Sequence, residues 1–328
     1  MKKKLSDQLS EKVIINSLLK KLNFNKKGTF NFENDAAYLS TPKNYKTIVT
    51  TDSITENIDF FYNDPPESVA QKLVCVNLSD LSAMGSAPVA YTLNLSLNAK
   101  INLIWLKRFT SRLYKLQKQY NFYLLGGDIS NSLELSLSAN FFGKVKSKYI
   151  ISQNKCSVGD DIWVTGNLGN SYLGYRFFTN SKIKANNKDK EFYKNSYLFP
   201  VPCMFGFIAS KFISAATDIS DGFYGDINKI LNNKVGACLI KKDFLISNNL
   251  KKIISTNRSK ISIEDIFSWG DDYQLVFTAN KKFKHKINVL GKKNNIKLTN
   301  VGEIIKAGGI YDDSMSLIKN PSSYDHFS

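Results

Sequence analysis

Apolar residues recur at helical spacing near the start of the chain. Leu9, Val13, Ile14, Leu18 and Leu22 predict a first helix over Leu9 to Leu22. Tyr45 to Asp52 reads as a strand, with Ile48 and Val49 ahead of a polar end. Ser68 to Met84 has helical spacing and is closed by Gly85 and Pro88. Val89 to Leu97 alternates like a strand, and Leu103 to Tyr120 is amphipathic and helical. Phe122 to Leu125 is a short apolar run entering Gly126-Gly127, and Leu133 to Val145 alternates again.

The pattern then shifts. A turn over Ser157 to Asp161 precedes a strand, Ile162 to Thr165, and a Gly-rich stretch, Gly166 to Gly174. The polar segment Asn180 to Lys190 reads as a mobile surface stretch. Pro200 and Pro202 lead into a predicted helix over Met204 to Ala215, and a turn at Thr217 to Gly222 leads to another. Strands are expected near Ala237, at Tyr273 to Phe277 and at Leu298 to Val301. Helices and strands alternate in both halves, which predicts an α/β or α+β protein. At 328 residues the chain exceeds one ordinary core, so two domains are expected, residues 1–148 and 149–328, the boundary falling near residues 146–155.

Composition changes this picture little. A net charge of +17 raises nucleic acid or an anionic surface as a partner. The lysines are, however, spread along the whole chain beside Asn and Ile, as solvated faces are, which makes nucleic acid an unlikely partner. Cys75, Cys156, Cys203 and Cys238 form no CxxC pair and no zinc spacing, so buried free thiols and a reducing, cytoplasmic setting are expected. MKKKLSDQLS lacks the apolar run of a signal peptide, and no apolar run approaches the length of a membrane span.

No GxxxxGK[ST] occurs, which excludes a P-loop, and Gly166-Asn167-Leu168-Gly169 does not complete GxGxxG. His285 and His326 are the two histidines, too few for serine-protease or zinc-hydrolase chemistry. The informative residue is aspartate. Asp52 and Asp128 follow strand-like runs, Asp218 and Asp221 lie in Thr-Asp-Ile-Ser-Asp-Gly, and Asp80 shares a helical face with Asn77. One such residue is ordinarily a cap or a solvated turn. Several, converging without His or Cys, suit a hard cation such as Mg²⁺ that also holds phosphate.

These segments resemble a known family. Asn77-Leu78-Ser79-Asp80-Leu81-Ser82-Ala83-Met84-Gly85 looks like the NLSDLAAMG segment of thiamine-monophosphate kinases. Leu125-Gly126-Gly127-Asp128 is similar to their IGGD, and Asp218-Ile219-Ser220-Asp221-Gly222 to their DLSDG. Gly270-Asp271-Asp272-Tyr273 looks like GEDYE, and Tyr324-Asp325-His326-Phe327 like the terminal YDHF. The first three recur in looser form across the aminoimidazole-ribonucleotide-synthetase superfamily; the last two point to the kinases.

The resemblance implies an N-terminal α+β domain that binds ATP and Mg²⁺ and pairs with its copy in a homodimer, and a C-terminal α/β domain. It implies phosphorylation of thiamine monophosphate by ATP. Asp35, Thr50, Thr51, Asp52, Asp80, Asp128, Asp218 and Asp221 would hold Mg²⁺. Gly127, Asp128 and Ser220 would contact ATP; Asp59, Asp271 and Tyr324 would face the thiamine phosphate. The chain also departs from the family. Asn34 replaces the first carboxylate of the family's GDDCA, Asp59 stands where the family has a histidine, and Gln153 falls at an ATP-contacting arginine. Two other readings stay open: another ATP-using enzyme of the superfamily, and a non-catalytic nucleotide- or nucleic-acid-binding protein.

Overall fold

The computed structural model describes residues 10–32, 36–179, 182–231, 234–240 and 242–318. Two compact units emerge. One comprises residues 1–81 and 87–147, the other 82–86 and 148–328.

The first unit starts with α1 (Glu11–Ile14), whose Ser10 side chain accepts from the Val13 N–H. The chain then widens into a π-turn over Ile15–Leu19 and tightens into a 3-10 turn over Lys20–Asn23, so the predicted regular helix is irregular. Its spacing still buries Ile14, Leu18 and Leu22. There follow β1 (Tyr45–Thr55), α2 (Pro66–Ala83), β2 (Ala87–Leu97), α3 (Leu103–Tyr120), β3 (Tyr123–Asn131) and β4 (Ser136–Lys146). The strands form one sheet in the order β1-β4-β2-β3. β4 is antiparallel to β1 and β2, while β2 and β3 run parallel because α3 carries the chain back between them. Asn102 caps α3 by accepting from Trp105 N–H at 2.9 Å, and Leu106, Phe109, Leu113 and Leu116 form its buried stripe. Tyr91, Phe122 and Phe141 stack and tilt against one another at centroid distances of 4.9–5.4 Å in the core of this sheet. Truncating Phe141 to alanine there removes about 3–5 kcal/mol of stability.

The second unit contains β5 (Asp161–Thr165), α4 (Asn170–Thr179), α5 (Asn187–Leu198), α6 (Phe205–Ala209), β6 (Ala215–Ile219), α7 (Phe223–Ile230) and β7 (Gly236–Leu239). It closes with α8 (Asn248–Thr256), α9 (Ile263–Ser268), β8 (Gln274–Ala279), α10 (Lys284–Lys293), β9 (Leu298–Ile305) and β10 (Gly309–Tyr311). The sheet order is β10-β7-β9-β5-β8-β6. Period-2 alternation sends Ile162, Val164, Ile219 and Val276 into one apolar cluster, and Trp163, Ala216, Leu275 and Phe277 into another. Residues of α4, α7, α8 and α9 cover the first cluster; α6 and α10 cover the second. A sheet covered on both faces explains why its strands read as near-continuous apolar runs.

Several expectations are corrected here. The predicted helix over Met204 to Ala215 stops at Ala209, because Ala215, Ala216 and Thr217 leave to pair with Thr278, Phe277 and Val276. The polar stretch predicted as a surface segment instead enters α5, whose Asn186 accepts from Asp189 N–H at 2.8 Å, and Ile183 is buried. Asn180 and Ser181 lie outside the described residues. All four cysteines are free, three of them buried and Cys203 partly exposed. No helix among the described residues is long and apolar enough to cross a membrane.

Candidate active site

In the first unit, three predicted residues come together. Alternation along β1 puts Thr50, Asp52 and Ile54 on one face and leaves Thr51 and Ser53 on the exposed one. Asp52 thus lies inside the strand and not after its end. The Thr50 hydroxyl donates to Asp80 Oδ2 at 2.5 Å, from β1 to the last turn of α2. Burial, then the charge and hydrogen bonding of Asp80, then the charge of Asp59, push the Asp52 carboxyl up to about 7. Its Oδ2 is buried and has no hydrogen-bond partner. Asp59 is itself fixed: its Oδ2 accepts from Thr55 N–H at 2.7 Å, and its carbonyl accepts from the buried Lys72 ammonium at 2.6 Å. Asn77, one turn before Asp80, donates from Nδ2 to the Leu73 carbonyl, which ties it to its own helix.

A divalent cation fits this group. Two carboxylates lie side by side with a buried oxygen that lacks a donor, and a cation relieves both their repulsion and the orphaned atom. Among the described residues no three His, Cys, Asp or Glu side chains close around a metal. Mg²⁺ takes one or two carboxylates and leaves its other positions to water and phosphate.

Gly127 and Asp128 sit inside β3, beside a cleft of about 200 Å³ that Thr29, Phe32, Ala36 and Ala37 also line. A Cβ at Gly127 would lie 1.9 Å from the Leu93 carbonyl oxygen, so only glycine lets β3 approach β2 here. Asp128 is exposed, and among the described residues no hydrogen bond joins it to Asp52 or Asp80. Asp35 and Tyr324 lie outside the described residues.

In the second unit, two loops are laced together. Asp218, buried in β6, precedes Ser220, Asp221 and Gly222. The Asp271 and Tyr273 N–H groups donate to the carbonyls of Ser220 and Ile219 at 3.0 and 2.9 Å. A Cβ on Gly270 would lie 1.5 Å from the Ser220 oxygen, and Gly222, at φ +119°, packs on the Ser268 carbonyl. Asp271 and Tyr273 both hold positive φ, at 63° and 48°, and the Tyr273 hydroxyl donates to Asp271 Oδ1 at 2.7 Å. Such backbone strain persists only where surrounding contacts over-determine it, and it gathers at functional loops. Gln153 donates to the Thr217 hydroxyl at 3.3 Å, next to Asp218.

Two residues of this region, Asp226 and Lys229, went unread in the sequence, and Asp272 was quoted in a motif but given no role. Asp226, fully buried on the first turn of α7, accepts through Oδ2 from the N–H groups of Ser220, Asp221 and Gly222 at 3.0, 3.0 and 3.1 Å. The Lys229 ammonium bridges Asp221 Oδ2 at 2.6 Å and Asp226 Oδ1 at 2.7 Å. Burial alone would lower the Lys229 pKa; the two carboxylates outweigh it and raise it. Asp272 accepts from Gly169 N–H at 2.8 Å at the start of α4. Burial pushes its carboxyl up to about 7, against the pull of the Gly169, Ser171 and Asn170 N–H groups. Asp271, Asp272, Asn167, Asn170 and Gln274 share a cavity of about 170 Å³. The i, i+3 spacing of Asp226 and Lys229 was a signal available in the sequence.

Clustered carboxylates, a Gly-Gly-Asp strand and a paired Asp-rich loop are the parts of a phosphate-handling enzyme, and comparison gives them a class. Residues 33–145 match the AIR synthase related protein family, N-terminal domain. Across most of its length the fold is shared with a crystal structure of thiamine-monophosphate kinase from Stenotrophomonas maltophilia, at 30% identity and a TM-score of 0.77, covering 86% of this chain and 89% of that one. It is shared too with AaThiL complexed with AMPPCP and TMP, at 25% identity and a TM-score of 0.75, covering 89% and 91%. The thiamine-monophosphate kinase of Buchnera aphidicola (subspecies Schizaphis graminum) is 35% identical over 302 residues, 89% of this chain and 91% of the relative. The chain belongs to the thiamine-monophosphate kinase family.

Proposed function

We propose that this chain transfers the γ-phosphoryl group of ATP to the phosphate of thiamine monophosphate, giving thiamine diphosphate, with Mg²⁺ bound by its carboxylates. The observation that carries the reading is the Asp52–Asp80 pair with its buried, partnerless oxygen, in a chain 35% identical to a thiamine-monophosphate kinase. The two reacting phosphate groups are both anionic, so charge repulsion is the first obstacle to their meeting. When bound, Mg²⁺ supplies charge neutralisation and a template for phosphate oxygens. In the first unit Thr50, Asp52 and Asp80 are assigned to Mg²⁺ and Gly127 and Asp128 to the nucleotide; in the second, Asp218 and Asp221 are assigned to Mg²⁺ and Ser220 to ATP. Thr51 can join only through its backbone, given where its side chain points. Asp271 and Asp59 are assigned to thiamine monophosphate, with Asp271 held in place by Tyr273.

The nucleophile is a phosphate oxygen. With a second pKa of about 6 it is largely deprotonated at neutral pH, so a general base is dispensable and the scarcity of histidine is no obstacle. Transfer is therefore direct and in line. Inversion at an isotopically chiral γ-phosphorus is expected; retention rules out a single displacement.

The residues 1–148 serve as the ATP, Mg²⁺ and pairing domain of a homodimer in this reading. The open face of the first sheet, with Val49, Thr51 and Ser53 exposed, supports the pairing. A sedimentation mass of one copy would remove it. Four free thiols favour a cytoplasmic setting. The deciding assay follows ADP formation. It is expected to require both thiamine monophosphate and Mg²⁺; turnover indifferent to thiamine monophosphate overturns the reading.

A further inference from the structure

The Asp218–Gly222 loop carries its own cation. Lys229 sits between Asp221 and Asp226 at 2.6 and 2.7 Å, on a helix that begins directly after the loop. Asp226 is fully buried, and its two oxygens divide their work: Oδ2 gathers three successive loop N–H groups, and Oδ1 takes the ammonium. Asp221, by contrast, is about two-fifths exposed at its side chain, and Lys229 holds it from one side only.

We propose that Asp226 and Lys229 form a clasp that positions the phosphate-handling loop, Asp226 fixing its backbone and Lys229 standing in as the counter-cation of Asp221 until a divalent cation replaces it. The inference rests on the assignment of Asp221 to the cation given above. A buried carboxylate stripped of its partner is strongly destabilising, so a lysine paired with Asp226 alone could not leave. Here it need not leave. When Asp221 turns to a divalent cation, Lys229 keeps Asp226, and no buried charge is left unpaired. The three N–H groups stay fixed on Oδ2 throughout, so Asp218, Ser220 and Asp221 keep their geometry during the exchange. An ordinary helix-start aspartate would cap N–H groups without setting the affinity of a neighbouring carboxylate for a cation.

Two measurements on the full chain separate these roles. The first is amide hydrogen exchange at Ser220, Asp221 and Gly222 in the cation-free protein. Asp226→Ala is expected to speed exchange at all three, while Asp226→Asn, which keeps an acceptor oxygen, and Lys229→Met leave them protected. The second is the Mg²⁺ concentration giving half-maximal turnover with saturating ATP and thiamine monophosphate. Asp226→Asn is expected to raise it about tenfold, as loss of a supporting group around a metal ligand does. Lys229→Met is expected to lower it about threefold, since a competing charge is gone. Opposite shifts support the clasp; equal Mg²⁺ dependence in both variants and wild type, or shifts in one direction, overturn it. Should the Asp226 variants fail to melt cooperatively, or Lys229→Met do so because it strips the buried Asp226 of its ammonium, the double variant Asp226→Asn/Lys229→Met, which removes both charges together, decides: its half-point is expected to fall as that of Lys229→Met does, and an unchanged one overturns the proposal. Asp221→Asn is the separate control. A wild-type Mg²⁺ dependence in that variant breaks the assignment of Asp221 itself, whereas a shifted one with unresponsive Asp226 and Lys229 variants breaks only the clasp.

Discussion

The two aspartate-rich regions handle the same electrostatic problem in opposite ways. In the first unit every influence acting on Asp52 raises its pKa: burial, Asp80 and Asp59. In the second, Lys229 balances Asp221 and Asp226 from within the fold. In the first region nothing offsets the influences that raise Asp52; in the second, Lys229 offsets part of the burial that still raises Asp226. A pair of carboxylates in a fold is thus informative mainly through what surrounds it. Uncompensated repulsion with an orphaned oxygen points to a missing cation, while a lysine-bridged pair is equally a structural device.

The largest expected effect comes from removing one charge of the Asp52–Asp80 pair. Asp80→Asn keeps an oxygen for the Thr50 hydroxyl and relieves Asp52. ATP turnover is expected to fall on the order of a hundredfold or more, the several kcal/mol that metal-held charge contributes. The cation-free protein is expected to melt about 2–4 °C higher, as a relief near 1 kcal/mol gives in a mid-sized domain. Activity and melting temperature move in opposite directions only if the site stores repulsion for a ligand. A variant that melts lower and turns over normally makes Asp80 a structural residue. The matching change in the second region, Asp221→Asn, strips Lys229 of one of two partners and is expected to bring no such gain in melting temperature.

What the sequence allowed one to read follows the same division. Helix α3 was legible because Asn102 caps it and its apolar stripe is regular; β5, β7, β8 and β9 of the second sheet were legible as apolar runs, whereas β6 was read as a helix end and a turn and β10 was not read. The helix predicted over Met204 to Ala215 failed because ladder pairing with β8 outweighed a helical run, and pairing of residues 61 apart is invisible to local pattern. Asp52, Asp80 and Asp128 could be named from their frames, but Asp52 was placed at the end of its strand and Asp128 after its own, and both strands run on past them. Asp226 and Lys229 were missed, and Asp272 was quoted without a role, because their meaning lies in what they bind. Three N–H groups on one carboxylate, or a carboxylate reaching a helix start 103 residues earlier, leave no periodic trace.

Glycine substitutions sharpen the contrast next. Gly270→Ala places a Cβ 1.5 Å from the Ser220 oxygen and wedges apart the two loops of the second unit. A loss above about 3 kcal/mol is expected, the scale of overpacking against backbone that cannot move aside. Gly126→Ala, in the first unit's strand, meets nothing within 4 Å and is expected to change stability by less than about 0.5 kcal/mol. Equal melting temperatures for the two variants would show that the paired loops are not the rigid element described.

The last effect is one of pH and concerns Asp272, a carboxylate of the second region outside the Lys229 bridge. Its carboxyl is raised to about 7 in the folded chain, above the ordinary 3.8. A raised value means the folded state holds a proton that the unfolded chain has released. The stability linked to this group is therefore complete below about 3.8, declines as pH rises, and is lost once pH has passed about 7. Asp272→Asn keeps an acceptor for the Gly169 N–H but cannot ionise. Melting temperature followed from pH 5 to 8 is expected to fall less steeply in the variant than in wild type, with the two curves closest at the acid end. Parallel curves would mean that the helix-start N–H groups already hold Asp272 ionised, which would leave Asp226 as the carboxylate that burial raises in this region.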